Sequence, residues 1–208
     1  RACIMDEMDA RFIDRHPRLR DGFGLITFVA GVIIGTLLIN AFIFRSFNVD
    51  GPSMEPTMYT GDRLIVNRLP VTVAQLQNKP YVPQRGQIIV FKNPNFNPSL
   101  GRDEYIVKRV VAFAGERVTV KNGRVTVYSK EQPHGFNPDT GVNHNEPSQP
   151  TSGDVDTVVS DGTLFVMGDH RQGGYSCDSR NCMGNIPLFD VVGPVGVRIF
   201  PFTKVRTF

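Results

Sequence analysis

The chain has 208 residues, enough for one compact domain and an added segment but too few for two large domains. Twenty-three basic residues against 20 acidic ones leave a net charge of +3, which excludes the strong basic excess of a nucleic-acid-binding surface. Twenty glycines and 15 prolines, with no tryptophan, point to a loop-rich β fold rather than a helical bundle.

Position 1 is Arg rather than Met, so the true N-terminus is expected to be missing or processed. Residues 22–44, GFGLITFVAGVIIGTLLINAFIF, carry no charge. As a helix this run is about 34 Å long, against a hydrocarbon core of about 30 Å. The apolar core of a cleavable signal peptide spans about 7–15 residues before a small-residue site. This run is longer and ends in Phe42, Ile43, Phe44 and Arg45, so a retained transmembrane helix is predicted. Arg11, Arg15, Arg18 and Arg20 precede it, whereas only Arg45 and Arg63 follow closely, which places the N-terminus inside. The expected organisation is a cytoplasmic segment 1–21, a membrane helix 22–44 and an exported β domain 45–208.

Beyond the helix, short β-type runs alternate with turn residues. Strands are expected at Phe47–Asp50, Asp62–Leu69, Gln87–Lys92, Glu104–Ala112, Thr163–Met167 and Pro194–Phe200. Glu116–Tyr128 reads ERVTVKNGRVTVY, two alternating strands about Asn122-Gly123, the signature of a type I′ hairpin. Residues 131–153 contain four prolines and three glycines with no periodicity and are read as an irregular surface loop. His134 and His144 fall there without ligand spacing, so no metal and no other cofactor is expected.

Three segments carry possible chemistry. Gly51-Pro52-Ser53-Met54-Glu55-Pro56-Thr57-Met58 holds Ser53 in a turn framed by two prolines, which presents its hydroxyl. Alone this is an ordinary turn serine, because a nucleophilic hydroxyl needs a base. His16 lies on the other side of the membrane, and His170 sits in a Gly-Asp turn. Lys108 lies in a run that must be buried, on the strand face of Ile106 and Val110. Burial lowers a lysine pKa by up to about 3–5 units, and a neutral amine can accept a serine proton. A glycine-rich turn, Gly168 to Arg180, offers Ser176 to orient the amine and Asp178 with Arg180 to brace the loop.

Together these segments resemble signal peptidase I, the membrane-bound serine protease of the S26 type that removes signal peptides. The motifs stand in the family's order: the membrane helix, Ser53-Met54-Glu55-Pro56-Thr57, Arg85 to Phe91, Tyr105 to Val111, and Gly168-Asp169 through Ser179-Arg180. The resemblance implies a mostly β catalytic domain behind one transmembrane helix, with a Ser53–Lys108 dyad and the Ser53 N–H as oxyanion donor. It implies that signal peptides of secreted precursors lie extended between strands 47–50 and 103–107 and are cut after small-x-small (Ala-x-Ala-like) sites, with the lipid bilayer as a second partner. Phe47, Val49, Asp50, Met54, Met58, Ile106 and Val107 would bind substrate, and Ser176 would hydrogen-bond Lys108. Arg109, Asp169, Asp178 and Arg180 would support the site. Gly51 stands where some members carry a second oxyanion hydroxyl, so Gly51→Ser would add a donor wherever the backbone admits serine. Cys3 is expected in the cytoplasm, while Cys177 and Cys182, on the exported side around Asp178-Ser179-Arg180, are expected to form a disulfide. A self-cleaving repressor of the LexA type shares the Ser–Lys logic, but it is soluble and carries a DNA-reading helix. A membrane-tethered binding domain, with Ser53 and Lys108 structural, is the non-enzymatic alternative.

Overall fold

The computed structural model describes residues 17–95, 104–140 and 147–208, so Cys3, His16 and His144 lie outside the described residues. The chain divides into two compact units, residues 1–41 and 42–208. In the first, α1 (Pro17–Phe42) exposes Phe23, Leu25, Phe28 and Ile33 to its surroundings. From Asp21 to Phe42 it is long and apolar enough to cross a membrane. It stops short of the expected boundary, because Phe44 already belongs to β1 (Phe44–Asn48).

The second unit is mostly β. Its elements are β1, β2 (Arg63–Asn67), α2 (Leu69–Leu76), β3 (Ile88–Lys92), β4 (Tyr105–Phe113), β5 (Arg117–Lys121), β6 (Arg124–Tyr128), β7 (Val155–Val158), β8 (Thr163–Met167), β9 (Ile186–Pro187), β10 (Val191–Phe200) and β11 (Arg206–Thr207). The larger sheet runs β1-β2-β10-β3-β4-β8-β9, with β11 on β10, and the smaller runs β6-β5-β7. β10 joins two halves of the larger sheet, pairing first with β3 and then with β2 through irregular registers. Gly193 lies in this crossing, where a Cβ would come within 2.4 Å of the Asn67 carbonyl oxygen.

β3 shows how sequence and packing agree. Ile88 and Val90 enter a core with Val49, Met54, Met58, Leu64 and Val195. Ile89 and Phe91 enter a second core with Val110, Leu164 and Ile186. A strand buried on both faces must be apolar throughout, and IIVF is. A third core lies between the small sheet and Val111, Phe165 and Met167. The hairpin turns at Asn122 (φ 51) and Gly123 (φ 77), with Lys121 opposite Arg124, as a type I′ turn requires.

Other boundaries differ from the sequence reading. The expected strand 62–69 ends at Asn67, whose Oδ1 accepts the Leu69 N–H (3.0 Å) as Pro70 opens α2. β7, unforeseen, pairs with β5. Of the expected surface loop 131–153, the described parts, 131–140 and 147–153, are not wholly on the surface: Asp139 and Thr151 are buried, and Phe136 forms a bridge to Val127.

Candidate active site

Ser53 sits in a turn directly after β1, fixed by the Glu55 N–H donating to the Pro52 carbonyl (3.0 Å) and the Met58 N–H to the Met54 carbonyl (3.0 Å). Met54 and Met58 are fully buried in the core beneath this turn. They anchor the turn and expose no surface, so they do not line open pockets as expected; flexible thioethers fill the irregular space under a loop well.

Lys108 reaches the turn from β4. Its Nζ stands 2.7 Å from Ser53 Oγ and 3.1 Å from the Val107 carbonyl oxygen. The residue is 3% exposed. Burial lowers the Lys108 pKa from 10.5 to about 8; the negative charges of Asp178 and Asp169 oppose that shift, and Arg180 adds to it. The amine is therefore partly neutral just above neutral pH.

His170 contacts the backbone of the Ser53 turn rather than the serine hydroxyl. Its backbone N–H donates to the Ser53 carbonyl (3.1 Å), its Nδ1 lies 3.2 Å from the Pro52 carbonyl, and its ring stacks on Tyr175. Gly51 has φ +94, and its N–H donates to Thr60 Oγ1 (3.0 Å). Among the described residues no internal acceptor takes the Ser53 N–H, leaving it able to face an oxyanion. The condition set for Gly51→Ser thus fails: serine there is expected to cost about 1–2 kcal/mol in stability and to raise no rate. Urea denaturation and kcat of that variant check both outcomes.

Around the pair lies a set of buried ions. Arg109 grips Asp169 with Nε (2.7 Å) and Nη2 and donates from Nη1 to the Gly86 carbonyl (2.8 Å). Asp169 also accepts from Thr57 Oγ1, which ties the Ser53 turn to β4. Asp178 accepts from the Gly168 N–H (2.9 Å), Ser176 Oγ (2.7 Å) and the Arg180 fork. Burial pushes the Asp178 carboxyl up, but those hydrogen bonds and the Arg180 charge outweigh it and hold the group below its ordinary value. Ser176 thus bonds Asp178 rather than Lys108, correcting the expectation; a hydroxyl donates more strongly to a buried carboxylate than to an amine. Gly168 separates the two serines: a Cβ there would come within 2.3 Å of both Ser176 Oγ and the Ser53 carbonyl oxygen.

Sequence reasoning missed a further layer. Fully buried Arg171 donates to the Gly168 carbonyl (2.7 Å) and forks onto Asp139 (2.8 and 2.7 Å). Ser148 and Ser152 bond the backbone of Asp169 and Arg171. Asp139 lies in a run without periodicity, so no local signal marks it, and Arg171 reads in the sequence as one more charge of a glycine-rich turn.

Cys177 and Cys182 are joined in a disulfide, with Cα atoms 5.5 Å apart. It brackets Asp178. Replacing both by serine is expected to cost about 2 kcal/mol, measured by chemical denaturation, since the loop is short. Among the described residues no cluster of His, Cys, Asp and Glu could hold a metal.

The family described as "Signal peptidase, peptidase S26" matches residues 22–200. The chain belongs to that family. The peptidase is 31% identical over 186 residues to signal peptidase I of Bacillus licheniformis, covering 88% of this chain and 92% of the relative. It is 30% identical over 175 residues to signal peptidase I of Bacillus amyloliquefaciens, covering 84% and 85%. Among solved structures, a signal peptidase I from Enterococcus faecalis V583 aligns with TM-score 0.38 and 25% identity, over 54% of this chain and 96% of that one. The protein is a hydrolase of a membrane-associated family, and it carries an apolar N-terminal helix.

Of the remaining expected residues, Phe47, Ile106 and Val107 are half-buried, Val49 is buried and Asp50 is exposed. β1 is the outer strand of its sheet, and β4 pairs with β8 only from Arg109 onward. The Phe47 and Tyr105 rings nevertheless lie 5.1 Å apart, so two edges that pair with no strand among the described residues share an aromatic floor.

Proposed function

We propose that the peptidase removes signal peptides from secreted precursors with Ser53 as nucleophile and neutral Lys108 as general base, cutting after small-x-small sites. The observation that carries this reading is a buried lysine amine 2.7 Å from the hydroxyl of an anchored turn serine. Ser53 Oγ attacks the scissile carbonyl while its proton passes to Lys108 Nζ. The oxyanion rests on the Ser53 N–H. The Lys108 ammonium then protonates the leaving amine, which becomes the new N-terminus, and the acyl group stays on Ser53. Water, deprotonated by the same amine, hydrolyses that ester and regenerates both residues.

The substrate lies extended between β1 and the first residues of β4, adding a strand to their open edges. Its side chains one and three residues before the scissile bond face a floor of Val49, Phe47 and Val107, which favours small residues. The helix α1 spans the bilayer once with the N-terminus inside, and residues 45–208 work on the exported side. No nucleic acid or cofactor takes part.

The test is incubation with a secreted precursor bearing Ala-x-Ala before its cleavage site, with mass spectrometry of the product termini. A single cut after the second alanine is expected, and its loss in folded Ser53→Ala. Cleavage elsewhere, or activity retained in Ser53→Ala, contradicts the reading.

A further inference from the structure

The strip between β1 and β4 continues past the floor of Val49, Phe47 and Val107. Strand alternation turns Arg45, Phe47 and Val49 to the inward side of β1, and Tyr105 and Val107 to that side of β4. The Arg45 guanidinium lies 5.2 Å from the Phe47 ring centroid and 4.5 Å from that of Tyr105. Its Nη1 donates to the Tyr105 hydroxyl at 3.0 Å. One side chain therefore touches both strands. Its bonded partner here is the Tyr105 hydroxyl and its faces lie on two aromatic rings, so these contacts hold the guanidinium in one direction. Arg68, whose N–H donates to the Ile43 carbonyl (2.7 Å), adds a second cation nearby. Burial, and then the charge of Arg45, push its guanidinium below its ordinary value.

This cationic end of the strip is the one away from Ser53 and Lys108, since β1 and β4 both run toward the dyad. A peptide entering the strip must pass it. An extended peptide sends every second side chain to the same side. With residues one and three before the scissile bond facing the floor, residue five also faces it, at the level of Arg45.

We propose that Arg45, aimed by Tyr105, is a specificity residue that reads the side chain five positions before the scissile bond, favouring a carboxylate or amide and rejecting lysine or arginine. The inference rests on the extended-peptide reading given under Proposed function. The physical case is that a guanidinium already clamped over two rings loses little freedom when it binds a carboxylate, and it matches one with two parallel hydrogen bonds. A cationic side chain in the same place meets like charge in a partly desolvated setting.

Three peptides identical except for Glu, Gln or Lys at the fifth position before an Ala-x-Ala site test it. They are cleaved in competition by full-length wild type, Arg45→Gln and Arg45→Glu in detergent. Ratios of kcat/KM from competition do not depend on how much of each variant is active. Wild type should prefer Glu over Lys by at least about tenfold, Arg45→Gln should reduce the preference to about twofold or less, and Arg45→Glu should invert it. If the Arg45 variants do not fold, Tyr105→Phe carries the test, because it removes the bond that aims the guanidinium and should narrow the ratio at least about threefold. A wild-type ratio near one, or a ratio unchanged in the folded variants, overturns the role of Arg45. Failure of wild type to cut the Gln peptide after Ala-x-Ala overturns the underlying reading instead.

Discussion

Precursor cleavage by Lys108→Met is expected to fall by about a hundredfold to ten-thousandfold, the usual worth of a general base, while the protein stays folded. Methionine fills much of the lysine volume inside a site that is 3% exposed, but it has no amine. Lys108→Arg should be equally inactive, because a guanidinium does not give up its proton. His170→Ala should keep much of the activity, since that imidazole meets the Pro52 carbonyl and Tyr175 rather than Ser53 Oγ. In wild type, kcat/KM should rise with pH through an apparent pKa near 8, as the buried ammonium becomes the neutral amine.

The same substitution should raise stability while it removes activity. The folded Lys108 pKa, about 8, lies below the unfolded value near 10.5, so between these the unfolded chain holds more proton and wild-type stability rises with pH. Below pH 8 both states are protonated, and the folded state bears the full cost of a buried ammonium. A drop from 10.5 to about 8 corresponds to roughly 3 kcal/mol. Lys108→Met should therefore be the more stable protein at pH 7, with its advantage shrinking between pH 8 and 10.5. Thermal melts by circular dichroism across that range, beside cleavage assays, check both. Appreciable turnover by folded Lys108→Met means the base is another group.

The second large effect is expected far from the hydroxyl. Asp139→Ala should destabilise the β domain by about 3–5 kcal/mol, because it leaves the fully buried Arg171 guanidinium without its counter-charge. Activity should fall with it, since Arg171 holds the Gly168 carbonyl, and the Gly168 N–H in turn bonds Asp178. Replacing both partners, as Asp139→Leu with Arg171→Met, should recover much of the stability, because apolar residues can substitute for a buried ion pair. The turn around Gly168 would then lack its arginine brace, so kcat should stay depressed. Urea denaturation and kcat of the two variants separate these terms. Unchanged stability in Asp139→Ala would show that residues 131–140 are not an anchor for the turn.

How much of this was legible in the sequence depended on whether the signal is local. Residues 22–44 announce an apolar helix because uncharged length is a property of consecutive residues, and α1 ends within two residues of the expected boundary. The Asn122-Gly123 hairpin follows because positive φ at two adjacent positions is a local requirement. Lys108 could be placed on an apolar strand face by period-2 alternation, and its motif neighbours pointed to Ser53. That the amine stands 2.7 Å from the hydroxyl is a tertiary fact, set by β4 meeting the turn after β1.

The ion layer shows where local reading stops. Arg109, Asp169, Asp178 and Arg180 were each visible as motif charges, but which one pairs with which is decided by how β4 and the glycine-rich turn cross. Ser176 was expected on Lys108 and instead donates to Asp178, because that carboxylate is buried within reach and needs donors. Asp139 and Ser148 come from a run with no periodicity, and nothing in their neighbours marks them. They matter because folding brings Asp139 and Ser148 against a buried arginine, and a buried charge must find a partner. The sequence by itself therefore determined most of the elements, though not α2 or β7, and the candidate residue types of the site, through hydrophobic period, turn chemistry and spacing. The tertiary structure alone decided the partners, because the cost of an unpaired buried charge is settled only when distant segments exclude water together.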